Sequence, residues 1–302
     1  MSEALFGELA ALGAAVCWAV APILYRQALF HASPFSANIV RCATNAAVMV
    51  AVLVALGWAE SLARLPLSVI AITVVSGFVG LFVGDTMYLY GLRSLGVSRA
   101  VPLAASYPLF SLIWAALLGQ PVTAVAVLGA VVILFGIWLL SRGGSDATVH
   151  LKSRLVVTGV AICLLTAVVW SVSVTLMDVA VSLPGVVGAD ANFAVVTVRI
   201  ASVAVLFLAL SPLLDRSRGF LKVQRGTLLQ LLIGGLVANA LGWFLMNYSF
   251  LNIAESQAVP ISSTTPLFSA IAGFALFREK MTFGNTVGAA VVVAGIALLF
   301  IV

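Results

Sequence analysis

Few side chains in this chain of 302 residues can do chemistry, since only 8% of them are charged. Asp85 stands out. It lies in the run Val83-Gly84-Asp85-Thr86-Met87-Tyr88, inside a long apolar stretch. An ionisable group in such a stretch costs about 2.5–3.5 kcal/mol or more unless it is paired or wetted. Three uses fit a carboxyl there. It pairs with a cationic group of a substrate, carries a proton, or closes a structural ion pair with Arg41 or Arg93. Arg41 and Arg199 are the other charges within apolar runs, at matching places in the two halves of the chain. A guanidinium can hold a carboxylate or phosphate. Near a helix end it can instead snorkel to the headgroups and fix topology, and its repetition in both halves favours that second use. Asp178, Glu8, Glu255 and Asp190 fall near the ends of apolar runs, where they are expected as caps or interfacial groups.

Uncharged polar residues form a second set. Ser106-Tyr107-Pro108 and Ser262-Ser263-Thr264-Thr265-Pro266 occupy corresponding positions. A proline frees carbonyls one turn back, and neighbouring Ser and Thr either satisfy them or present them to a cavity. Mirrored proline pairs favour the cavity wall, which makes Ser106, Tyr107, Ser263 and Thr264 candidates. Tyr88, Asn247, Tyr248, Trp18, Trp170 and Trp243 could add aromatic or amide contacts. No enzyme constellation accompanies them: there is no HExxH, no GxSxG and no aspartate-rich pair. His31 and His150 lie 119 positions apart. Cys17, Cys42 and Cys163 sit in apolar runs without CxxC spacing and read as packing residues. Neither a metal nor a cofactor is expected.

The elements that must position these groups are set by composition. At 63% hydrophobic, the chain holds more apolar surface than a soluble domain could bury. Its solvent is therefore lipid. The net charge of +5 is too dispersed to imply nucleic acid. Glu3 and Glu8 open the chain without a basic segment, so no cleavable signal is expected. A spanning helix needs about 20 apolar residues. Breaks at Pro, Gly and charge then give ten spans, near 5–28, 36–57, 67–91, 97–119, 123–141, 156–182, 190–212, 226–250, 256–277 and 283–302. Short connections make neighbours antiparallel.

The chain is also written twice. Pro102 and Pro108-Leu109-Phe110 recur 158 positions on as Pro260 and Pro266-Leu267-Phe268, and Tyr90 recurs as Tyr248. Thr123, Gly129 and Gly136 recur 159 positions on as Thr282, Gly288 and Gly295. Trp18 answers Trp170, Arg41 answers Arg199, and the position of Asp85 is filled by Trp243. Residues 1–141 form one five-helix repeat, 142–155 a connecting loop, and 156–302 the second repeat. Five crossings put the second copy on the opposite side of the membrane, so the two repeats must be inverted, with the site near the midplane between them. The expected fold is an all-α polytopic membrane protein of ten helices. The repeated glycines have the spacing of close helix contacts, and a monomer or a homodimer would use them.

With Trp18, Arg41, the Pro102 and Pro108-Leu109-Phe110 helix, and Gly119-Gln120-Pro121-Val122-Thr123 leading into Gly129 and Gly136, the chain resembles the drug/metabolite transporter superfamily, in its ten-helix EamA-type form. That resemblance implies a carrier with a central cavity, working by alternating access without ATP, with export as its usual direction. The last helices also resemble those of the small multidrug resistance proteins. Two departures stand out. Gln120 replaces the usual acid before the fifth helix, whereas Glu279 keeps it before the tenth. The membrane-embedded glutamate of the multidrug proteins is absent, with Trp18 and Trp170 in that region.

Twelve Lys and Arg fall on one side of such a topology against Arg64 alone on the other, which places both termini outside the cytoplasm; the resemblance implies the opposite. The expected location is the plasma (inner) membrane of a prokaryote. The expected solute is an amino acid or related metabolite, then a lipophilic cation, then a sugar phosphate or nucleotide sugar. A polytopic membrane enzyme is the reading from another class.

Overall fold

A computed structural model describes residues 3–143, 153–269, 271 and 283–299. Among the described residues every regular element is helical. Helix α1 spans Glu3–Ala28, α2 Pro34–Ala55, α3 Leu67–Leu95, α6 Ser153–Ser182, α7 Gly188–Leu214 and α8 Arg225–Phe250. Helix α4 runs as Val97–Ala104 and then Pro108–Leu117, α5 covers Ala124–Gly143, α9 begins with Glu255–Ser262, and α10 spans Phe283–Leu299. Seven helices among the described residues are long and apolar enough to cross a membrane, and Ala124–Leu139 is a shorter apolar one. Span 256–277 falls partly outside the described residues. A six-residue helix, Ala59–Arg64, follows α2 without a counterpart among the expected spans.

Local chemistry sets the boundaries. Ser33 caps α2 by accepting from the Ser36 amide at 3.1 Å, and Pro34 supplies a fixed φ at the first turn. Gly96, at φ 79°, makes the tight turn between α3 and α4, a conformation that a side chain would strain. The proline pairs act as their spacing suggests. Helix α4 breaks into a turn at residues 105–107 and α9 at 263–264, each just before Pro108 or Pro266.

The duplication is visible in the packing. Helix α1 lies along α8, and α6 lies along α3, so each half sends its first helix into the other. Helices α2 and α7 pack on each other at the centre, and α5 packs on α10. Phe207, Ile39, Met49 and Met177 are among the fully buried side chains of the shared core. Large apolar side chains such as Leu67, Val54, Val205 and Leu229 face outward instead, as suits a lipid solvent. The glycine stripe works inside the chain: a Cβ at Gly136 would meet the Val292 amide at 2.8 Å and the Gly288 carbonyl at 2.9 Å. Backbone therefore packs on backbone between α5 and α10.

Both α3 and α8 change to π-helix midway, at Phe78–Gly84 and Leu236–Gly242, 158 positions apart. A π-segment lengthens the hydrogen-bond step and turns some carbonyls outward, a feature frequent at functional sites. Here side chains receive them. Asn38 Nδ2 donates to the Leu81 carbonyl at 2.9 Å, and Trp18 Nε1 donates to the Ala238 carbonyl at 3.0 Å.

Candidate functional site

The two π-segments bring α3 and α8 against the central pair α2 and α7, and the groups singled out by type converge there. Glycines make the approach possible. A Cβ at Gly77 would meet the Arg199 carbonyl at 2.9 Å, and one at Gly235 would meet Arg41 Cγ at 3.0 Å. A Cβ at Gly84 would lie 2.7 Å from the Trp170 indole, and one at Gly242 would lie 2.7 Å from that of Trp18. These four glycines repeat 158 positions apart. They were readable in the duplication, yet their types suggest no chemistry.

Asp85 sits in the first turn after the π-segment and is engaged on both oxygens. Arg41 Nη2 donates to Oδ2 at 2.5 Å, and Trp170 Nε1 donates to Oδ1 at 2.8 Å. Arg41 also donates to Asn38 Oδ1 at 2.6 Å. Its guanidinium carbon lies 5.2 Å from the centre of the Tyr25 ring. The expected position of Arg41 and Arg199 near the headgroups is thereby corrected. They are 2% and 1% exposed, because α3, α7 and α8 close around α2 at that depth. Of the two pairings considered for Asp85, the one with Arg41 forms.

The second half builds the same frame with one exchange. Trp243 fills the place of Asp85, and Arg199 stacks on its ring at 3.5 Å. Arg199 Nη2 donates to Ser173 Oγ at 2.7 Å, whereas Nε and Nη1 have no acceptor among the described residues. Trp18 meets the Trp243 ring edge-on at 5.5 Å, and Tyr88 meets Trp170 at 4.8 Å. A cation–π contact is worth about 2 kcal/mol when desolvated. Burying an unpaired ion costs several kcal/mol, so the stack alone does not offset it.

These groups surround a cavity of about 110 Å³. One water needs about 10–15 Å³ by this measure, so the space takes several waters or one small solute. Its wall contains Trp18, Arg41, Asp85, Tyr88, Tyr107, Trp170, Arg199, Trp243 and Ser263 from the sequence-based set, together with Tyr25, Ser173, Asn239 and Thr265, which that set missed. Four expected residues lie elsewhere. Ser106 and Thr264 donate back to the Leu103 and Ile261 carbonyls at 2.7 Å each, so these hydroxyls serve the broken helices. Asn247 donates to Asn192 at 3.0 Å, and Tyr248 is an exposed side chain.

A second polar cluster lies where α6 ends and α9 begins. Gln120 donates to Asp178 at 2.5 Å, Thr175 to Glu255 at 2.6 Å, and Ser256 to the Pro121 carbonyl at 2.9 Å. Asp178 and Glu255 are 4% and 0% exposed, and Glu8 is buried too. They lie near helix ends, as expected for caps or interfacial groups, but protein covers them. The connection through Gln120 and Pro121 folds over that end. Asp190, in the first turn of α7, accepts from Ser61. Cys17, Cys42 and Cys163 are free and buried. Among the described residues no group of three or more His, Cys, Asp or Glu could hold a metal ion.

The EamA-like transporter family matches the chain twice, over residues 5–142 and 157–301. A protein of Archaeoglobus fulgidus described as an uncharacterized transporter is 25% identical over 297 residues, covering 97% of each chain. A solved structure described only as the crystal structure of a protein superposes with a TM-score of 0.76 at 20% identity, over 98% of this chain and 96% of that one. That likeness concerns the fold.

Proposed function

We propose that this chain, which belongs to the EamA-like transporter family, is a secondary transporter that moves a small organic solute, an amino acid or related metabolite, by alternating access. It is an integral, multi-pass membrane protein; we place it in a prokaryotic plasma membrane, with export as the direction that the family resemblance implies. One observation carries the reading. A small cavity with polar and aromatic walls lies where the two halves interlace, lined by copies of the same helices from each. The mirrored packing supports two inverted five-helix repeats over residues 1–141 and 156–302. In that arrangement a change of state amounts to each half adopting the other's packing around a fixed site.

The engagement of Asp85 weighs among solutes. With Arg41 and Trp170 on its two oxygens, it offers less to a lipophilic cation than a free carboxylate would. The hydrogen bonds from Gln120 to Asp178 and from Thr175 to Glu255 tie together the end where α6 stops and α9 starts.

Cysteine labelling tests the cavity. In a background lacking Cys17, Cys42 and Cys163, single cysteines at Ala105 and Ser263 are expected to react with a small water-soluble thiol reagent. One at the outward-facing Val205 is expected to react far more slowly, since lipid covers it. Ala105 is 5% and Val205 68% exposed to solvent-sized contact, so the membrane reading inverts the order that bare exposure would give. Inert cysteines at both cavity positions would remove the water-filled site.

A further inference from the structure

Arg41 and Arg199 are copies of one position with different partners. Asp85 neutralises Arg41. At Arg199 the matching place holds Trp243, so the guanidinium faces a ring, and Nε and Nη1 find no acceptor among the described residues. The cavity wall therefore carries two guanidinium groups and one carboxylate. One positive charge lacks a counter-charge in a site where charge is normally paired.

We propose that Arg199 anchors a carboxylate of the transported solute, which takes at Arg199 the place that Asp85 takes at Arg41. The proposal rests on the transporter reading and names the chemical class that the site selects. A single unpaired guanidinium matches a monoanionic carboxylate, and Nε–H or Nη1–H beside the second hydrogen of Nη2 offers one fork edge to the paired oxygens of that group. A phosphate dianion would bring one negative charge too many beside Asp85. A cation would meet a wall that is already positive. Trp18, Tyr88 and Trp170 offer flat apolar faces to the remainder of the solute, so a small carboxylate or amino acid with an apolar or aromatic body fits. In this conformation Trp243 covers the guanidinium. Docking thus exchanges the ring for the carboxylate as the partner of Arg199, through a turn of either side chain.

The test is thermal stabilisation of the purified full-length protein by small monocarboxylates and amino acids, by amines, by a lipophilic cation and by phosphate monoesters at millimolar concentration. A ligand that binds the folded state raises its melting temperature. A rise with the carboxylates alone is expected. In Arg199→Gln the half-saturating concentration should increase by about thirtyfold or more, as for a truncated buried charge partner. Arg199→Lys should retain part of the response. Trp243→Asp should abolish it by supplying an internal carboxylate. Arg199→Gln alone decides if Trp243→Asp does not fold. An undiminished carboxylate response in folded Arg199→Gln would overturn the assignment, and so would a response to amines or phosphates only. Protein-dependent flux of some solute with no carboxylate response would likewise overturn it, while leaving the transporter reading in place.

Discussion

Replacing Asp85 with alanine is expected to lower the stability of the folded protein by about 3–5 kcal/mol, as does removal of one partner from other buried ion pairs. Arg41 and Asp85 are both buried, and the pair draws in Asn38 and Trp170. Without the carboxylate, a second guanidinium joins Arg199 without a counter-charge. The Trp170 indole also loses its acceptor. The penalty belongs chiefly to the stranded charge rather than to the lost contact. The double variant Arg41→Leu, Asp85→Ala is therefore expected to be more stable than Asp85→Ala alone. Thermal midpoints of the two variants in one detergent check this. A double variant less stable than the single one would mean that Arg41 has another anchor, and that Asp85 is not what holds it.

Gly80→Ala is the second large effect. A Cβ at this position, inside the first π-segment, would overlap Ser173 Oγ and lie 2.9 Å from both Ser173 Cβ and Arg199 Nη2. Two of those atoms carry the hydrogen bond that places Arg199. The third is fixed to the α6 backbone and cannot swing aside. Overpacking of this kind costs about 1–3 kcal/mol, against about 1 kcal/mol gained from replacing glycine inside a helix. Function should suffer more than folding, since α3 and α6 must separate at the cavity wall itself. A loss of about 1.4 kcal/mol in solute binding would already be tenfold in affinity. Gly226→Ala is the control. Nothing lies within 4 Å of its added Cβ, so it should not lower stability and should leave transport unchanged. Equal behaviour of the two variants would show that the close approach at Gly80 is not needed.

The spans were legible because lipid imposes a single demand, long apolar runs, and α1, α2 and α6 to α8 begin and end within a few residues of where that demand puts them. The frame of the site was legible as well, through the duplication. Arg41 with Arg199, Trp18 with Trp170, and Asp85 against Trp243 are pairs readable from spacing, and all six side chains line one cavity. Depth was not legible. Arg41 lies only seven residues after Pro34, the start of its helix, and counting from a helix end says nothing of the three helices that close over it. Asp178 and Glu255 lie near helix ends as expected, but their burial was not legible for the same reason, since the connection through Gln120 and Pro121 covers that end. Ser106 and Thr264 share their motifs with Tyr107, Ser263 and Thr265. All four hydroxyls, of Ser106, Ser263, Thr264 and Thr265, return to carbonyls of the broken helices, and only the geometry of the breaks decides that Tyr107, Ser263 and Thr265 also border the cavity. The π-segments have no residue signature of their own. Gly77 with Gly235 and Gly84 with Gly242 mark them, but only for a reader who already knows that two helices must come close.

Counterflow in proteoliposomes tests the central claim most directly. Vesicles preloaded with an unlabelled amino acid or small apolar carboxylate should concentrate the labelled form transiently, without ATP. That uptake should saturate, and it should fall to the protein-free level with Arg199→Gln. Counterflow that persists unchanged in that variant would place the solute elsewhere in the fold. Absence of counterflow for every small solute, with correctly folded and inserted protein, would contradict the transporter reading itself.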